Sequence, residues 1–392
     1  MGPSLKSSNR GFSLIELLIS MIVGLIVIGA AVQLYSSAMD ASWVIQQRTE
    51  MQQDLRAAEN LLLKDISLAG QGFYGVNAES IPLPTSNGNP LYGCTTASPC
   101  APPYTYPCVG VGCVPTLYPI MPGYQKGITP PGGAVKSDVI TIVYSDTNLA
   151  LWCYKFTYAN GGNTITLNAP ANPPACSLPA GQTYPLAPNN PYTGLVPGDI
   201  VMVSNASGGA GIGEVTGVSP ANPANTAPTP CTDAPCDNGS SYTITLQNGD
   251  PLNLNQSGAA NDLTSLTSPT SIQRIFVITY YLGNWKDAGG NTTTILYRQV
   301  NGLTAVPMVD NIANMQFTYD TYDTNGNLLN ATGDGGEAGG TSPNLIRKVN
   351  IAHLTMHSQL YGAKGGYMNK GYQSFDVQTS ISARNLSYTN RY

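Results

Sequence analysis

The chain has 392 residues, a formal net charge of -5 and an isoelectric point near 5.0, so no global positive field draws it to phosphate backbones or anionic lipid. Only 10% of residues are charged, while Gly (42) and Pro (30) are abundant, a profile of a loop-rich β protein. The apolar share of 42% is too high for a disordered chain.

Met1 to Gly11 carries Lys6 and Arg10 and no acid. Phe12 to Leu34 is then apolar apart from Ser13, Glu16, Ser20 and Gln33, and no charge occurs between Leu17 and Met39. At about 1.5 Å per helical residue this run crosses a hydrocarbon core of roughly 30 Å. Basic residues ahead of the span place the amino terminus in the cytoplasm and the remainder outside. A conventional signal peptide has an uninterrupted apolar core and a small-x-small cleavage site; here a carboxylate, Glu16, sits inside the run and the span is too long. A generic anchor has no use for a carboxylate at bilayer depth, where it costs at least roughly 2.5 kcal/mol. Glu16 therefore needs a partner, and a cut between Gly11 and Phe12 supplies one, because the new α-amino group is a cation. A carboxylate near the first helical turn is also favoured by the helix dipole.

The stretch Arg10-Gly11-Phe12-Ser13-Leu14-Ile15-Glu16-Leu17-Leu18 resembles the processing motif of type IV prepilins and pseudopilins. The resemblance implies cleavage after Gly11 by a membrane prepilin peptidase and N-methylation of Phe12. It also implies that Glu16 pairs with the terminal amine of a neighbouring subunit during assembly. Major pilins usually carry a helix-kinking Pro about two-thirds through the span; here Gln33 stands at that place, which points away from a major subunit.

Past the span, Leu34, Ala38, Ala41, Ile45, Arg48, Met51, Leu55, Ala58, Leu62 and Ile66 recur at three- or four-residue steps, so the helix continues until Gly70-Gln71-Gly72. Its outer half needs a sheet to cover the apolar stripe. The expected organisation is a leader at 1–11, a helix at 12–70 with 12–34 in the membrane, and a β-rich periplasmic or extracellular domain at 71–392. A Cys/Pro-rich insertion is expected at 75–136. The fold class is α+β, a long amino-terminal helix on a large antiparallel, disulfide-containing domain.

The eight cysteines, Cys94, Cys100, Cys108, Cys113, Cys153, Cys176, Cys231 and Cys236, all follow the membrane segment, and an even count in an exported region reads as disulfides. Pairing of sequence neighbours is one connectivity among many. No pair shows the CxxC spacing of a zinc site. Strands are expected at 139–144, 151–158, 164–167, 200–204, 213–218, 242–246, 272–282, 294–300 and 315–319, then at 348–360 with Val349, Ile351 and His353 on one face.

The order Pro307-Met308-Val309-Asp310-Asn311-Ile312, Met315-Gln316-Phe317-Thr318-Tyr319-Asp320, an Asp/Asn/Gly loop, a strand after Arg347 and Ser382-Ala383-Arg384-Asn385 resembles the PilW-type minor pilins. That resemblance implies a low-copy subunit in pilus assembly or priming, placed near the filament tip. Its partners would be other minor and major pilins, prepilin peptidase, the inner-membrane assembly platform and a tip adhesin. The chain would wait in the inner membrane and end at the pilus surface. A tip adhesin or DNA-binding subunit, and a type II secretion pseudopilin, are the alternatives.

Other constellations point to structure rather than chemistry. Asp323, Asn325 and Asn327 resemble part of a calcium loop, yet aligning Gly326 to its sixth position leaves Thr332 where the twelfth-position carboxylate belongs. An Asn-Gly hairpin turn accounts for the same residues. His353 and His357 on a strand lie roughly 13 Å apart and cannot share an ion. Gly208-Gly209-Ala210-Gly211-Ile212-Gly213 lacks the strand-loop-helix context of a phosphate site and reads as a loop. No nucleophile motif occurs, so no enzyme activity and no cofactor are expected. From Ala187 to Ser342 twelve acids face three bases, whereas beyond Pro343 six bases accompany Asp376 alone. These late bases are expected to meet the acidic middle of the chain or a neighbour, and nucleic acid is not expected as a partner.

Overall fold

The structure, a computed structural model, describes residues 13–72, 81–82, 116–131, 135–147, 149, 151, 154–158, 164–168, 194–205, 210–219, 242–247, 263, 269–286, 290, 292–322, 325–333, 343–358, 373–383 and 386. The chain divides into two compact units. One comprises Met1–Gln53 and Ser358–Ser374, the other Asp54–His357 and Phe375–Tyr392.

Helix α1 (Leu14–Leu68) contributes to both. In the first unit its side chains from Leu14 through Tyr35 stand largely exposed. Arg48 Nε donates to Gln373 Oε1 at 2.6 Å, and Gln373 is itself held by Ser358, whose N–H donates to the Gln373 carbonyl at 2.8 Å.

In the second unit the helix buries Leu55, Ala58, Leu62 and Ile66 completely, three- and four-residue steps that form one face. Each of the larger side chains contributes about 2 kcal/mol by leaving water. The helix stops as its sequence requires. Gly70 and Gly72 take φ of 73° and 78°, a conformation that side chains resist. The turn then joins the sheet, with Gly70 N–H donating to Val143 O and Ser145 N–H to Gln71 O.

The strands among the described residues are β1 (Ile81–Pro82), β2 (Thr116–Leu117), β3 (Ile120–Gly123), β4 (Val139–Ser145), β5 (Lys155–Tyr158), β6 (Thr164–Asn168), β7 (Ile200–Asn205), β8 (Ala210–Ser219), β9 (Tyr242–Gln247), β10 (Pro269–Lys286), β11 (Thr292–Val300), β12 (Val306–Val309), β13 (Ile312–Tyr322), β14 (Leu328–Gly333), β15 (Ile346–His357) and β16 (Ser374–Ser382). One sheet of ten runs β12-β11-β10-β7-β8-β9-β6-β5, with β4 on the other edge of β10 and β3 beyond it; a second sheet of four runs β14-β13-β15-β16. Strands β3 to β12 pair antiparallel throughout the large sheet, as do β1 with β2 and β13 with both β14 and β15. The protein is thus α+β, a long apolar helix with a large antiparallel domain.

Strand β10 organises the large sheet. Its first half pairs with β7 as far as Ile275–Ile200, and from Ile278 onward β11 takes over that edge. The gap at Val277 is filled by Asn301, which follows β11. Asn301 N–H donates to Val277 O at 2.7 Å, and Val277 N–H donates to Asn301 Oδ1 at 3.0 Å. Asn301 is buried and left-handed, with φ 52°, so one residue supplies both groups of a missing strand. Around β5 to β9 a separate core gathers Leu151, Ile165, Val201, Val215, Ile244 and Leu263.

Three details differ from the sequence expectations. Ala210–Gly213 belongs to β8 rather than to a loop. Its glycines make room for Leu263, since a Cβ on Gly213 would lie 2.6 Å from Leu263 Cδ1; a glycine-rich strand carries no β-propensity signal. His353 does not share a face with Val349 and Ile351. Gln316 pairs with His353 and Phe317 with Ile351, leaving Ala352 as an extra residue, and this bulge turns His353 outward while Leu354 and Met356 continue the buried row. Within 75–136, β3 is part of the large sheet, and residues 83–115 lie outside the described residues.

Candidate functional site

The amino-terminal end of α1 combines one carboxylate with a long bare apolar surface. Ser13 O accepts the N–H groups of Glu16 (3.0 Å) and Leu17 (3.2 Å), which sets Glu16 in the first helical turn. Its neighbours Leu14, Ile15, Leu17 and Leu18 are 80%, 65%, 59% and 50% exposed. Among the described residues α1 is the one helix long and apolar enough to cross a membrane, and its most apolar stretch is not buried. Such a surface is stable only against lipid or other apolar helices. Ser20 Oγ donates to the Leu17 carbonyl at 2.9 Å, so the hydroxyl within the span is satisfied by its own helix. Gly11 and Phe12, the expected cleavage pair, lie outside the described residues.

At the other end of the helix, Asp65 is 2% exposed, within the apolar face. Its Oδ2 accepts from Tyr280 Oη on β10 at 2.6 Å and from Arg298 Nε on β11 at 2.8 Å. Burial and the adjacent Asp65 charge push the Tyr280 hydroxyl upward, and the same two causes raise Tyr144 to about 12. Both phenols are therefore neutral at any physiological pH, and Tyr280 acts as a donor to Asp65. The expectation drawn from the heptad-like stripe omitted Asp65; the signal that could have found it is an acid three residues after Leu62 and one before Ile66.

The other candidates lie in turns and strands of the β domain. Asn325 and Asn327 sit in the turn that joins β13 to β14, with Gly326 at φ 81°; Asp323 lies outside the described residues. Among the described residues no group of three His, Cys, Asp or Glu side chains could hold a metal. His353 and His357 lie on strand β15. His353 Nδ1 contacts Asp376 Oδ2 at 3.0 Å, and Thr355 Oγ1 donates to Asp376 Oδ1 at 2.8 Å. Burial works to raise the Asp376 carboxyl, but hydrogen bonds from Thr355, His353 and Gln378 outweigh it and hold it below its ordinary value. Of the late bases, Lys348 reaches Asp320 at 3.3 Å, which joins the basic end to the acidic middle. Arg274 of the middle segment is sequestered between Asp146 and Asp199. All eight cysteines lie outside the described residues.

Residues 6–32 match the family described as the prokaryotic N-terminal methylation motif. A stretch of 85 residues is 29% identical to a pilin-like protein, PilA3, of Thermus thermophilus, covering 21% of this chain and 36% of that protein. No solved structure matches the chain. The motif and the apolar helix behind it fit a membrane-anchored, type IV pilin-like protein, a structural class in which catalysis is not typical.

Proposed function

We infer that the protein is a minor pilin of the PilW type, acting in assembly or priming of a type IV pilus near the filament tip. The observation that carries this reading is the methylation motif with Glu16 as the one charged side chain between Ser13 and Met39, on the apolar and exposed amino-terminal part of α1. Prepilin peptidase cuts between Gly11 and Phe12, and Phe12 is N-methylated. The mature subunit waits in the inner membrane as a single-pass protein with its β domain in the periplasm, and docks at the assembly platform. It then enters a helical bundle of minor and major pilins, where Glu16 neutralises a neighbour's terminal amine. In hydrocarbon that pairing offsets a cost of several kcal/mol for each isolated charge.

Absence of the span Pro, the length of 392 residues and the 307–320 and 382–385 stretches favour a low-copy, tip-placed subunit over the repeated one. The test is Glu16→Ala expressed in place of the wild type. Membrane fractions should contain the protein at wild-type level while filaments, counted by electron microscopy, fall at least tenfold. Wild-type piliation in that strain would overturn the reading.

A further inference from the structure

Two of the chain's Asn-Gly pairs lie among the described residues, Asn301–Gly302 and Asn325–Gly326, and the fold treats them in opposite ways. Asparagine before glycine is a labile setting for a side-chain amide, because glycine has no Cβ to keep its backbone nitrogen away from the asparagine Cγ. At Asn301 that approach is blocked. Asn301 is 2% exposed. Its Oδ1 accepts the Val277 N–H at 3.0 Å, its Nδ2 donates to Gly198 O at 3.4 Å and its own N–H donates to Val277 O at 2.7 Å. Asn301 and Gly302 hold φ of 52° and 71°, and Leu303 N–H closes the turn on Val300 O at 2.9 Å.

Asn325 and Gly326 stand exposed in the turn between β13 and β14. A Cβ on Gly326 would meet nothing within 4 Å, so the backbone there has open space in which to move. A hydrogen bond made by an exposed side chain is exchanged for one to water at little cost. Solvent reaches both residues, whereas at Asn301 the surrounding strands exclude it.

We propose that Asn325–Gly326 is a modification site at which the folded protein deamidates spontaneously, while Asn301–Gly302 is protected. The Gly326 nitrogen, having lost its proton to base, attacks Asn325 Cγ. The N–Cγ bond forms, the side-chain amide nitrogen leaves as ammonia, and a five-membered succinimide results. Water then adds to either ring carbonyl and opens it, giving aspartate or isoaspartate. The sum is hydrolysis of one amide to a carboxylate and ammonium, with water as the co-reactant and no oxidant or reductant. The turn gains a negative charge. The isoaspartate product also routes the main chain through Cβ, which lengthens the connection between strands that pair at Tyr322 and Leu328. Because β14 is the edge of the smaller sheet, the change falls on an edge hairpin. This inference stands apart from the reading of the amino terminus.

The experiment incubates the full chain in mildly alkaline buffer, folded in detergent micelles and in parallel unfolded in guanidinium chloride. Peptide masses follow both asparagines over weeks, and fragment ions assign each conversion to its residue. In the folded protein Asn325 should convert at least about tenfold faster than Asn301, because ring closure at Asn301 must first break its buried hydrogen bonds. In the unfolded chain the two should convert at similar rates. Equal rates in the folded protein, or an Asn325 that stays intact there, overturns the proposal. A tenfold gap that persists in guanidinium would trace the difference to local sequence, and would overturn protection by the fold.

Discussion

Removing the Asp65 carboxylate should be the most damaging single change at the helix-sheet contact. Asp65 is 2% exposed and accepts from both Tyr280 and Arg298. Asp65→Ala leaves a guanidinium and a phenol without their acceptor and opens a small cavity in the helix face. Breaking one side of a buried ion pair costs roughly 3 to 5 kcal/mol. Arg298 retains 24% side-chain exposure, so water relieves part of that cost, and about 3 kcal/mol is expected. Tyr280→Phe removes one hydrogen bond to a charged group and should cost about 2 kcal/mol. The double variant should fall short of the sum by more than about 0.5 kcal/mol, because both changes act on one network. Urea titration of the full chain in detergent, followed by tryptophan fluorescence, measures all three. A loss below about 0.5 kcal/mol for Asp65→Ala, or strict additivity, would refute the account of this contact.

Asn301 fills the gap on β10, so Asn301→Ala strands the Val277 N–H and also forces a Cβ-bearing, non-polar residue to hold φ 52°; a loss of about 2 to 3 kcal/mol is expected. Asn301→Gly also loses that hydrogen bond but relieves the backbone, and should be milder by about 1 kcal/mol in the same titration. Gly213→Val drives a side chain into Leu263 and Leu246 and should cost about 1 to 3 kcal/mol. Adding Leu263→Ala should restore part of the loss caused by Gly213→Val, and a thermal melt in which the pair is simply additive would count against the close approach.

The helix was legible because its signals are local and redundant. The apolar run, the three- and four-residue stripe from Leu55 to Ile66 and the terminal glycines each point to the same bounds, and α1 ends at Leu68. Most strands were legible in position, since Val139–Ser145, Ile200–Asn205 and Ile346–His357 carry dense β-branched residues. What was hidden depends on distant partners. Ala210–Gly213 has no propensity of its own and becomes a strand by pairing with β7, its glycines leaving space for Leu263. The outward turn of His353 follows from the extra residue Ala352, which only the pairing with β13 defines. Asp65 was missed in the sequence, because its partners Tyr280 and Arg298 lie 215 and 233 residues away. At the amino terminus the proposed assembly chemistry rests on Glu16 in the first turn of an apolar segment, a pattern complete within a few residues.

The central claim rests on processing and is tested most directly by the mass of the amino-terminal peptide of the protein isolated from cell membranes. The account predicts a mature terminus at N-methylated Phe12, with Met1 to Gly11 absent, and retention of those eleven residues in cells lacking prepilin peptidase. An intact leader in wild-type cells, or a terminus at any other residue, would contradict it.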